Sequence, residues 1–339
     1  MQIFVYAHFR LFAQTSDIYI VYITQSNSVY KSLINGYNFQ KSERDENMRN
    51  YYAHRKENHP SFYTDLAIER RRADTALDGV EYKSYECDGG IWECVRVYSE
   101  AGAKSIGRPF GRYDTLNTGR MDLLSEERID DAIEAVAKKL CLMFDRCAIS
   151  PERILAVGLG NRNLTPDSVG PKAAAIIKPT MQIKEFDEDM FSALECSEIA
   201  VLTPGVFSES GLDSAEIVKG VARQISPDVI IAIDAIATGS AERLGSTVQI
   251  SDTGIFPGSG IGNSKQPLSF ESIGVPVIAI GVPTVIDSRI FSGSLNPKAE
   301  EEPMLVAPRE IDEITNVAAR IIGEAVNQAF GISLYFNYS

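Results

Sequence analysis

Two aspartates stand where a peptide-like bond could be attacked. Asp167 follows the apolar run Arg153-Ile-Leu-Ala-Val157 by way of Gly158-Leu-Gly-Asn161 and Thr165-Pro-Asp167, and precedes an Ala/Ile-rich helical run that begins near Pro171. Asp234 closes the run Ile230-Ile-Ala-Ile-Asp234. Both runs have the unbroken hydrophobicity of strands buried on two faces. Both carboxylates are therefore expected at strand ends, the edge of an open α/β sheet where ligands and catalytic groups collect. Two aspartates in one cleft titrate as a pair, and the charge on one raises the pKa of the other. One base and one acid then coexist at working pH, able to activate water against an amide and protonate the departing nitrogen. Taken singly, each has a plainer reading: Asp167 as a helix cap, Asp234 as an acceptor for backbone amides in a loop.

Competing chemistries have less to stand on. The three histidines are His8, His54 and His59, so unless the N-terminal segment folds back, Ser-His-Asp, Cys-His and His-rich zinc mechanisms are excluded from the main body. Cys87, Cys94, Cys141, Cys147 and Cys196 are odd in number and lack CxxC spacing. They read as reduced thiols rather than a disulfide frame or zinc site, and neither metal nor cofactor is expected. Gly158-Leu-Gly160 begins like a dinucleotide loop, but Asn163 replaces the third glycine and no acidic ribose ligand follows at the usual spacing. A second glycine-rich stretch, Gln249 to Asn263, lacks the terminal G-K-[ST] of a phosphate loop. It could line a cleft, bind an extended peptide, or form a surface loop. Asp252 within it is a supporting residue rather than a catalytic one.

The elements that must position these groups are legible from periodicity. At 339 residues and 44% hydrophobic, the chain can bury one large α/β core or two smaller ones. Strands are expected at Gly90 to Val97, Ile154 to Val157, Ile199 to Leu202, Val229 to Ile233 and Val275 to Ile280, with Gly107 to Gly119 as turn. Helices are expected from Ser125, whose hydroxyl can cap a stripe of Ile129, Ala132, Ile133, Val136, Ala137 and Leu140, from Asp213 to Ile225, near Val285, and from Arg309 to Phe330. The alternation predicts an α/β fold, a mainly parallel sheet with helices on both faces. Residues 1–60 differ: short apolar runs pass into the charged stretch Gln40 to Arg49, and His59-Pro60-Ser61 marks a boundary. They read as a divergent N-terminal extension or prosegment, and residues 61–339 as the catalytic domain. A net charge of −13 argues against a nucleic-acid or anionic-membrane surface and suits polypeptide partners. No N-terminal apolar stretch approaches the roughly 20 residues of a membrane span, and the first residues show no basic n-region followed by a clean apolar core and a small-residue cleavage site, so a cytoplasmic location is expected.

Four blocks in order carry a resemblance. Val157-Gly-Leu-Gly-Asn161 with Thr165-Pro-Asp-Ser-Val-Gly-Pro171, Val229-Ile-Ile-Ala-Ile-Asp234-Ala, Val248-Gln-Ile-Ser-Asp-Thr-Gly254 with Pro257-Gly-Ser-Gly260, and Gly274-Val-Pro-Val-Ile-Ala-Ile-Gly-Val-Pro-Thr284 together resemble the germination protease of spore-forming bacteria. The resemblance runs from about Tyr63-Thr-Asp-Leu-Ala67 to the terminal helix. It implies an endopeptidase that initiates degradation of small acid-soluble spore proteins at germination, made as a zymogen with an N-terminal propeptide and assembled as a homotetramer inside the spore. It assigns catalysis to the positions matched by Asp167 and Asp234. The first block also resembles the hydrogenase maturation endopeptidases, which implies their phosphorylase/hydrolase-like α/β fold.

Overall fold

The computed structural model describes residues 18–20 (backbone only), 64–70, 77–147, 149, 151–257, 266–288, 290 and 304–331. Within these, ten strands form one sheet. They are β1 (Ile18–Ile20), β2 (Val80–Cys87), β3 (Gly90–Val97), β4 (Gly111–Asn117), β5 (Arg153–Gly158), β6 (Glu198–Leu202), β7 (Val229–Thr238), β8 (Thr247–Ser251), β9 (Val277–Asp287) and β10 (Leu305–Pro308). The helices are α1 (Ala67–Arg70), α2 (Glu100–Ile106), α3 (Glu126–Arg146), α4 (Val169–Ile176), α5 (Met181–Phe186), α6 (Glu188–Leu194), α7 (Phe207–Ser210), α8 (Ser214–Ile225), α9 (Phe270–Ile273) and α10 (Ile311–Ala329).

The main path across the sheet is β2-β3-β4-β8-β9-β7-β5-β6, with β10 beside β9 and β1 beside β10. Strands β6, β5, β7 and β9 are mutually parallel, as the buried apolar runs suggested. The remaining pairings are antiparallel, so the sheet is mixed. Of residues 1–60, only β1 falls among those described, paired with β10 through Ile18↔Pro308.

Helices cover both faces. Ile154, Ala156, Ile231, Ile233, Ile278 and Ile280 pack under α3, α4 and α10. Their sequence neighbours Leu155, Val157, Ile230, Ala232 and Val277 pack under α8 on the opposite face. A period of two, apolar on both phases, is what such a strand requires. Each fully buried aliphatic side chain contributes about 1.5–3 kcal/mol, so this stack can hold an acidic residue in its midst. The cap read from sequence is present, Ser125 Oγ accepting from Arg128 N at 3.4 Å to start α3, and Asp213 Oδ1 likewise accepts from Ala215 N at 2.8 Å to start α8.

Two local expectations are corrected. The stretch Gly107 to Gly119, read as turn, contains β4, with Tyr113 to Leu116 buried. The helix expected near Val285 is instead the continuation of β9 to Asp287. Pro283 cannot donate to a ladder, yet it lies within this strand. A register shift absorbs it: Ile236 pairs with Pro283 and Ala237 with Val285, leaving Thr284 unmatched. No helix among the described residues is long and apolar enough to cross a membrane.

Candidate active site

The site begins where β5 leaves the sheet. Gly158 is the last β5 residue paired with β7, opposite Ile233, and Leu159 N still donates to Ile233 O at 2.8 Å. The chain then turns through Gly160, at a φ of +108° that L side chains rarely adopt. A methyl group there would lie 2.1 Å from Asp167 O and 3.1 Å from Asp167 Oδ1, so the absent side chain lets the aspartate fold back over the exit of β5.

Asp167 closes the single 3₁₀ turn Thr165–Asp167, started by Pro166, and its N–H donates to Leu164 O at 2.8 Å. The side chain is buried, and its Oδ2 accepts from Asn161 N at 2.8 Å. The residue that leads α4 is Ser168, which makes no side-chain cap. The turn packs against β7, β9 and α10.

Asp234 is the residue after Ile233 and is also buried. It is not at the end of its strand, because β7 runs four residues further, to Thr238. What ends at Ile233 is the pairing with β5, so Asp234 is the first β7 residue beyond that neighbour. Its Oδ1 accepts from Ala235 N at 2.9 Å. Both expected residues thus lie where β5 and β7 part, Asp167 folded over Gly160 and Asp234 following the residue that holds Leu159.

The start of α4 locks this junction. A Cβ at Gly170 would fall 2.2 Å from Leu159 O and 2.5 Å from Ile233 O. Both are backbone atoms that cannot swing aside. Gly170→Ala is expected to push α4 and the Asp167 turn off β5 and β7, at a cost of about 1–3 kcal/mol and with loss of peptidase activity. Urea denaturation and a cleavage assay check it, and a variant with unchanged midpoint and rate would refute the lock.

Asp234 shares a face with Thr115, Gln249 and Gly281, which lie side by side across β4, β8 and β9. On that face a pocket of about 40 Å³ opens among Asp65, Arg108, Tyr113, Gln249, Ile255 and Gly281, a volume sufficient for water. Asp65 and its neighbours are the part that sequence reasoning missed. Asp65 N donates to Ala237 O at 2.9 Å, Asp65 Oδ2 accepts from Ala237 N at 3.0 Å, and Ala67 N donates to Gln249 Oε1 at 2.9 Å. Glu69 accepts from Gly239 N at 2.7 Å and from the hydroxyls of Thr64 and Thr238. Residues 64–70 are in this way fastened along the end of β7. The resemblance that starts at Tyr63-Thr-Asp-Leu-Ala67 takes them in, but nothing in the sequence points them toward β7.

Asp252 is a brace. Its Oδ1 accepts from Arg112 N at 2.7 Å, tying the end of β8 to β4, and burial pushes its carboxyl above the usual range. The segment 258–265 of the second glycine-rich stretch and all three histidines lie outside the described residues.

The family model described as Germination protease matches residues 61–295, and the chain belongs to that family. The Germination protease of Caldanaerobacter subterraneus subsp. tengcongensis is 39% identical over 230 residues, covering 66% of this chain and 69% of its own. That of Clostridium perfringens (strain ATCC 13124) is 33% identical over 310 residues, covering 78% of this chain and 94% of its own. That of Priestia megaterium is 38% identical over 241 residues, covering 67% and 64%. Among solved structures, the [NiFe] hydrogenase maturation protease HycI from Thermococcus kodakarensis KOD1 is 19% identical over 56% of this chain and 99% of its own, with a TM-score of 0.32. The protein is a peptidase of the germination protease family.

Proposed function

We propose that this peptidase is an endopeptidase that initiates degradation of small acid-soluble spore proteins during germination, with Asp167 and Asp234 as the carboxylate pair that activates water. What supports the mechanism is the position of both aspartates where β5 and β7 part. Asp167 packs over Gly160, and Asp234 is the first β7 residue past the last β5 contact. One carboxylate takes a proton from water as its oxygen bonds to the peptide carbonyl carbon. The other gives a proton to the nitrogen as the C–N bond breaks, leaving a free carboxyl and a free amine. The substrate class, a zymogen stage, a homotetramer and a spore-interior location rest on the family relationship alone.

The reading is tested by incubating purified small acid-soluble spore protein with this protein and mapping the products by mass spectrometry. Internal cuts that persist after exhaustive chelation are the expected result. An intact substrate would defeat the endopeptidase reading, and cleavage abolished by chelation would replace the carboxylate pair with a metal-assisted mechanism.

A further inference from the structure

Along β7, successive residues direct their N–H and C=O groups to alternate sides. Ile233 O accepts from Leu159 N and Ala237 O accepts from Asp65 N, so Ile233, Ala235 and Ala237 all present their backbone groups to the side away from β9. β5 covers that side as far as Ile233, and residues 64–65 cover it again from Ala237. Between them lies a break, roughly 13 Å from Ile233 to Ala237 at the rise of a strand.

Ala235 is the residue in the break. It is the only residue of β7 that is not buried. Its N–H is taken by the Asp234 carboxylate, while its C=O accepts from no described residue. The carbonyls on either side of it along this edge, Ile233 O and Ala237 O, both have partners, as strand acceptors usually do.

We propose that this break is the backbone docking point for substrate: the polypeptide enters in extended form between Leu159 and Asp65, and one of its N–H groups donates to Ala235 O. This is strand addition shortened to a single bridge. It has two consequences for the proposed reaction, on which it rests. Recognition at this point uses main chain, so it constrains conformation rather than side-chain type. The bridge also seats the peptide next to Asp234, since the accepting carbonyl belongs to the following residue.

The test is a backbone scan. A synthetic peptide spanning a bond that the protein cuts in small acid-soluble spore protein is compared with copies N-methylated at one residue each. A single methylated position is expected to lower kcat/KM by about tenfold or more, with positions further along the peptide near neutral. In a crystal of the Asp234→Asn variant with the parent peptide, the nitrogen of that residue should lie within about 3.2 Å of Ala235 O. A flat methylation profile with the parent peptide cut normally would overturn the docking point and leave the peptidase reading standing. So would a complex in which the peptide nitrogen bonds elsewhere. A spore protein left uncut would remove both.

Discussion

Asp234→Asn should lower kcat/KM for cleavage of small acid-soluble spore protein by about 10²–10⁴, the range of a lost general acid or base, and Asp167→Asn should do the same. Asparagine keeps the shape of the side chain and an oxygen that can accept from Ala235 N or Asn161 N, as the two aspartates do. Neither variant should therefore lose its fold, and circular dichroism and thermal melting check that. Groups acting as one unit are not additive, so the double variant should be little worse than either single one. The rate profile of the parent should be bell-shaped in pH, with both limbs belonging to the pair. An unchanged rate in either variant would remove that residue from the mechanism.

The second large effect lies on the other face. Lys139 of α3 and Asp114 of β4 are almost wholly buried, 3% and 2% exposed at the side chain, with Nζ 3.1 Å from Oδ2. The ammonium also donates to Tyr85 Oη at 2.8 Å and sits 4.1 Å above the Trp92 ring. Lys139→Met would leave the Asp114 carboxylate buried, with Arg146 no nearer than 3.8 Å. The expected loss is about 3–5 kcal/mol in urea denaturation. Lys139→Met with Asp114→Asn should recover most of it, because the charge that lacked a partner is then gone. If the double variant is as unstable as the single one, packing and not charge explains the loss. Burial pulls the Lys139 pKa down, but Asp114 and Tyr85 more than reverse this, and the net shift is upward from 10.5. The stabilisation from the pair is then complete below that ordinary value and fades as pH rises through the raised one. Burial, reinforced by Asp114, also pushes the neighbouring Cys94 thiol up to about 11.

The parallel core and both aspartates could be read in advance because their signals are local. Ile154 to Val157 and Val229 to Ile233 are apolar on both phases, and Asp167 follows the first at the distance of a loop. Asp234 departs from its expected place in one respect: the apolar run ends there but the strand does not, since Ala235 to Thr238 continue it. Glycines and prolines misled twice. Pro109, Gly111 and Gly119 hid β4, and Pro283 hid the far half of β9, where a register shift accommodates the ring. The docking of residues 64–70 was beyond sequence reasoning. The bonds from Asp65 to Ala237 and from Glu69 to Gly239 join residues 172 and 170 positions apart, and nothing in either segment names its partner.

β9 gives the sheet its continuity. It holds the parallel strand β7 on one side and the antiparallel strands β8 and β10 on the other, at successive points along its length. The half that bears the aspartates and the half that bears the Lys139 pair therefore have no strand boundary along which to part. Melting either one strips β9 of partners that the other also needs, so the two should be lost together in one cooperative transition. A peptidase built this way can unfold as a whole, but it has no stable half to leave behind.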